Sequence, residues 1–171
     1  MLTLLFVKRQ SEIPMGNFLR FLQLFSLGAW IGSIIYFSAV VAQAAFRVLP
    51  TMDDAGRLVG FTLGGLHWFG VIAAVVYLVA SLALGRSPKA LVQPAAIGVI
   101  LMLILTLVSQ RLVIPRMDVL RAQMGSVAAT TANDPLRAEF DRLHGVSVNL
   151  EGAVLLIGLA SLFLTVRSKP V

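Results

Sequence analysis

The sequence predicts an all-α integral membrane bundle of four antiparallel transmembrane helices, with the third and fourth helices extending beyond the membrane. Three observations carry this expectation. Of 171 residues, 58% are apolar and only 13% are charged, and mean hydropathy is +0.89; soluble domains average about 45 to 50% apolar and about 25% charged residues. Four apolar runs reach the roughly 18 to 20 residues that cross about 30 Å of hydrocarbon as a helix. The stretches that join them are short or polar. A soluble domain of this size leaves about a third of its unfolded surface in water, and too few polar residues are present to cover it. An open sheet would leave unpaired backbone groups in lipid, and the runs are too continuously apolar for a membrane barrel, so each is read as a helix.

Residues 1–17 form an N-terminal tail in this reading. Its apolar start precedes Lys8 and Arg9, the reverse of a secretory signal, and no small-residue cleavage site follows. Two readings stand for it: an extension ahead of a start at Met15, or a flexible or interfacial tail. A single domain over residues 18–166 follows, with spans at about 21–46, 58–84, 94–114 and 144–166, and residues 167–171 form a C-terminal tail. The first connection carries Pro50 and the acidic pair Asp53 and Asp54, and the second is the tight turn Gly85-Arg86-Ser87-Pro88-Lys89. Beyond the third span, apolar residues recur at helical spacing among Arg116, Asp118 and Arg121, which predicts an amphipathic continuation to Met124; residues 125–133 read as a flexible loop. Asp134 and Pro135 suit an N-cap and first helical position, and the charged stretch that follows places the first turns of the fourth helix outside the membrane.

Lys plus Arg number 14 against 8 Asp plus Glu, a net charge of +6, yet the cations mark the ends of apolar runs instead of forming a stripe. The basic balance therefore reflects headgroup anchoring and topology, and no nucleic-acid partner is implied. Cations divide evenly between the two sides, but the tails and the second connection are almost purely basic, which favours cytoplasmic termini. With no Cys, disulfides and thiolate metal sites are excluded.

Few polar residues interrupt the spans, and they gather near one membrane face. Counting from the charged ends places Gln43, His67, Gln110, Arg111 and Glu151 within a turn or two of the face that carries the first and third connections. His144, Ser147 and Glu151 share one helical stripe. A carboxyl group at that depth is costly unless it faces the bundle interior and finds a partner, so Glu151 points to a site; Arg111 and His67 are its candidate partners. His67, His144 and Glu151 have suitable nitrogen and oxygen donors for a transition metal, and Gln43, Arg47, Gln110, Arg111 and Asn149 complete an expected polar pocket. Two histidines are also the minimum for a bis-imidazole haem, so the identity of any cofactor stays open. Met52, Met117 and Met124 lie on the same side and read as packing residues, as do the four-residue spacings Gly28/Gly32 and Gly60/Gly64. No phosphate-binding loop, nucleophile elbow or paired-histidine zinc helix occurs, and the chain reads as non-enzymatic.

Gly28-Ala29-Trp30, Phe46-Arg47-Val48-Leu49-Pro50, Arg111 with Pro115-Arg116, and Phe140 followed by His144-Gly145 and Ser147 occur in an order that resembles the transmembrane protein 205-like family over residues 18–166. The resemblance implies a small four-helix membrane protein of undefined activity, whose eukaryotic member is linked to platinum-drug resistance and whose architecture is similar to that of copper-resistance membrane proteins. It also implies that Trp30, Arg47, Arg111, Pro115, Arg116 and His144 matter to the family. Glu151 departs from the neutral amide expected there, so its carboxylate is not carried over. The resulting expectation is a bilayer-embedded protein that binds or moves a small solute or metal ion through a polar pocket. The alternatives are a structural or assembly subunit working with other membrane subunits, and a haem-binding redox protein.

Overall fold

Helix α1 spans Met15–Val48, α2 Met52–Gly85, α3 Pro94–Met124 and α4 Pro135–Arg167 in the computed structural model, which describes residues 15–167. Readings that concern residues 1–14 and 168–171 lie outside the described residues. Each helix packs on its two neighbours in an up-down ring, α1 against α2 and α4, and α3 against α2 and α4. Between 22% and 33% of the most apolar stretch of each helix lies inside the bundle. Most of each run therefore faces outward, as expected when lipid is the solvent. At 31 to 34 residues, the helices are about 46 to 51 Å long, well beyond a hydrocarbon core of about 30 Å. The four helices form a multi-pass integral membrane bundle.

Local chemistry sets the helix ends. Thr51 caps α2, its hydroxyl oxygen accepting the Asp54 N–H at 3.0 Å, and Asp53 and Asp54 sit in the first turn where the helix dipole favours negative charge. Arg86 closes the other end in the left-handed region at φ 48°, and a short 3-10 turn, Pro88–Val92, leads into α3. Pro94 and Pro135 occupy the first turns of α3 and α4, where their missing N–H is not needed. The Asp134 carboxylate accepts the Leu136 N–H at 2.8 Å.

Two π-helical turns interrupt the regular helices, Phe37–Val41 in α1 and Ser109–Val113 in α3. The second has a local cause. Pro115 cannot donate to the Arg111 carbonyl, and its ring crowds that carbonyl, so the turn before it widens. Proline-driven widening here precedes the predicted amphipathic continuation, which runs as helix to Met124.

The main core joins Leu27, Trp30, Ile31 and Ile34 of α1 to Ala73, Ala74 and Tyr77 of α2, Val99 and Met102 of α3, and Val154 of α4. A second cluster, Val113, Met117, Leu120 and Phe140, joins the outer ends of α3 and α4. Close helix approach occurs at Gly70 under the Trp30 indole, at Gly98 against Ser161, and at Gly158 against Met102 and Ile31. The expectation that Gly28/Gly32 and Gly60/Gly64 serve bundle packing is corrected. A Cβ on Gly28, Gly32 or Gly64 would meet no atom within 4 Å, and one on Gly60 would only touch the end of Arg121 at 3.8 Å.

Candidate functional site

Three helices converge on His67. Its ring is 2% exposed, Nδ1 stands 2.8 Å from Gln110 Oε1 on α3, and Nε2 stands 3.2 Å from Glu151 Oε2 on α4. The wide turn before Pro115 contains Gln110, so the same backbone irregularity that proline creates carries one of the imidazole partners. With Gln110 Oε1 accepting, Nδ1 carries a proton; Nε2 then donates to the Glu151 carboxylate as imidazolium or accepts from a protonated carboxyl. Turning the Gln110 amide gives a third arrangement, with Nδ1 accepting and Nε2–H donating to the carboxylate. In each, both imidazole nitrogens are engaged and the second Glu151 oxygen has no other hydrogen-bond partner among the described residues.

Glu151 also faces a cavity of about 820 Å³. The cavity opens at the end of the bundle that carries the first and third connections. The second half of α1, from Ile34, and the start of α2, from Met52, form one wall; the end of α3 and the N-terminal part of α4, to Leu155, form the other. The π turn of α1 contributes Phe37 and Ser38 to the lining. His144, Ser147 and Glu151 all reach the cavity from α4, with Glu151 about 10 Å deeper than His144 along the helix.

Asp53 closes the mouth from α2. Its carboxylate accepts the Ser126 hydroxyl at 2.5 Å and the Val127 N–H at 3.0 Å, and the Arg137 guanidinium donates to the Val127 carbonyl at 2.6 Å. The segment expected to be a flexible loop is thus tied at its start to two helices. Sequence reading missed Asp53 in this role, because its partners are more than 70 positions away. The signal available was an acidic residue in a first turn, which a cap already explains.

The remaining expected site residues separate from this centre. Arg111 is exposed and its guanidinium lies 5.9 Å from the Trp68 ring, so of the two expected partners of Glu151 the structure brings up His67 and not Arg111. Arg111 falls two residues from both Ser109 and Val113, which are buried, and therefore on the opposite side of α3. Gln43, Arg47 and Asn149 are exposed and do not line the cavity. Among the described residues no group of three or more His, Cys, Asp or Glu side chains is arranged to hold a metal ion. The expected set of His67, His144 and Glu151 thus supplies a joined pair, while His144 stands nearer the mouth.

A family model described as a domain of unknown function, DUF4149, matches residues 25–126. The chain belongs to the DUF4149 family. No curated protein and no solved structure matches it. The DUF4149 match runs from α1 to just past the end of α3 and so contains His67, Gln110, Pro115 and Asp53. Glu151 and the rest of α4, which complete the cavity, lie beyond it.

Proposed function

We propose that this DUF4149 protein binds a small solute within the bilayer, in the cavity whose floor carries Glu151. One observation supports the reading most: a carboxyl group deep in an apolar bundle is held by a buried histidine and at the same time presented to an open cavity. A group kept only for packing would be enclosed by its partners. The volume suits an occupant of drug-like size, and both π turns border the site, a placement common for such turns at functional sites. The resemblance to the transmembrane protein 205-like family fits this reading within the DUF4149 family and implies no particular chemistry. In the proposed arrangement residues 18–166 act as one transmembrane unit with both termini in the cytoplasm; a C-terminal reporter active only outside the cytoplasm overturns that orientation.

The test uses glycines that line the cavity. A Cβ on Gly56 or Gly152 would meet no atom within 4 Å, so a large side chain there projects into open space. Saturable binding of the neutral dye N-phenyl-1-naphthylamine to protein in nonionic detergent is expected, and Gly152→Phe is expected to abolish it while thermal stability is kept. Equal dye binding by the native chain and by both Gly56→Phe and Gly152→Phe overturns the proposal.

A further inference from the structure

We infer that the cavity selects a small monovalent organic cation with a bulky apolar body, whose charge is met by Glu151. This deepens the solute-site reading above and rests on it.

The charged groups on the lining are four carboxylates, Asp53, Asp118, Asp141 and Glu151, against two guanidiniums, Arg121 and Arg137; His144 stands near the mouth. Their partners decide what remains for a ligand. Asp118 is paired with Arg121 at 2.9 Å and Asp141 with Arg137 at 3.0 Å. Asp53 is hydrogen-bonded to Ser126 and Val127. The guanidiniums are committed too, Arg137 to the Val127 carbonyl as well and Arg121 across the Phe140 ring at 5.5 Å. Glu151 is different. Its partner among the described residues is His67, and no Lys or Arg is paired with it.

An anion entering this space meets no unpaired guanidinium and a carboxyl group at the floor. A neutral solute strips water from that group and returns nothing, which is costly in an apolar setting. In the arrangement with His67 neutral and its Nε2–H donating to an ionised Glu151, a cation both replaces the lost water and pairs the charge, so complementarity favours positive ligands. A hard divalent cation fits poorly, because it needs six or more oxygen ligands or retained water. Phe37, Phe46, Leu63 and Leu155 on the walls offer apolar contact instead. Aromatic faces among them suit a diffuse organic charge, a geometry that Arg121 already adopts on Phe140.

Tetraphenylphosphonium and tetraphenylborate test this, because they share one shape and carry opposite permanent charges. Equilibrium dialysis of the full chain in nonionic detergent is expected to show saturable phosphonium binding at least tenfold tighter than borate. Glu151→Gln is expected to weaken phosphonium at least tenfold and to remove the preference for phosphonium over borate. Equal affinity for the two ions overturns the inference and leaves the solute site standing, as does a folded Glu151→Gln protein that still holds phosphonium fully. Failure of all three probes to bind saturably overturns both. If Glu151→Gln does not fold, the phosphonium-to-borate ratio of the native chain, and its loss in Gly152→Phe, decide alone. A lipid headgroup could supply the same quaternary charge. Displacement of phosphonium by short-chain phosphatidylcholine but not by phosphatidylglycerol assigns the site to lipid and overturns the free-cation reading.

Discussion

The Trp30 indole fills the space that a Cβ on Gly70 would need, so α1 and α2 meet there only because residue 70 has no side chain. Trp30 is 1% exposed and belongs to the main core; it has no room to retreat. Gly70→Ala is therefore expected to cost about 1 to 3 kcal/mol through overpacking. Gly64→Ala, at a position with open space, is expected to be neutral or slightly stabilising through helix propensity. Thermal unfolding of both variants in the same detergent checks the contrast, and equal melting temperatures would refute it.

That pair also shows what the sequence could and could not tell. Hydropathy and length were enough for four helices because lipid leaves the backbone no alternative. The stripe His144, Ser147, Glu151 was legible for the same reason: helical periodicity alone puts three residues on one face. Choosing partners across helices needs rotation about each axis, and four-residue glycine spacing does not supply it. Gly60 and Gly64 have that spacing and border open space, whereas Gly70, Gly98 and Gly158 make the close approaches. Gln110 and Arg111 are adjacent and both polar, yet only Gln110 points to His67; the buried pair Ser109 and Val113 settles which one, once α3 is seen against its neighbours.

Removing the His67 ring should expose how Gln110 and Glu151 depend on it. His67→Ala leaves two half-buried polar side chains without their shared partner; an unpaired group costs about 1 to 3 kcal/mol when fully buried, and Glu151, which faces the cavity, should cost less. Glu151→Gln retains a side chain that can still bond to the imidazole and should destabilise less. The double variant His67→Ala/Glu151→Gln should be less unstable than the two single losses combined, because neighbours in one network are not additive. Additive melting-temperature changes would show that the three side chains do not act as a unit.

Arg111 provides the complementary case. Its guanidinium lies over Trp68 on the outer surface, away from the cavity lining, so Arg111→Gln is expected to leave solute binding unchanged and to alter stability by no more than about 0.5 kcal/mol. A loss of dye or phosphonium binding comparable to that of Glu151→Gln would place Arg111 back at the site.

Asp53 links the mouth of the cavity to acid. It stands in the first turn of α2, a helix that overruns the hydrocarbon core, and the Ser126 hydrogen bond holds its carboxyl below the usual carboxylate range. A carboxyl lowered in the folded state contributes stability above its unfolded pKa, and that contribution is lost as pH falls through the folded value. The clasp on Val127 should therefore persist from neutral pH to about pH 5 and release only below the ordinary carboxylate range. Exchange of the Val127 amide, which donates to Asp53 at 3.0 Å, reports this directly. Asp53→Ala is expected to speed that exchange at every pH by removing the acceptor. Asp53→Asn keeps an oxygen in place and should retain partial protection with no acid transition. Unchanged exchange in Asp53→Ala would mean that Arg137, through the Val127 carbonyl, is sufficient to hold the loop by itself.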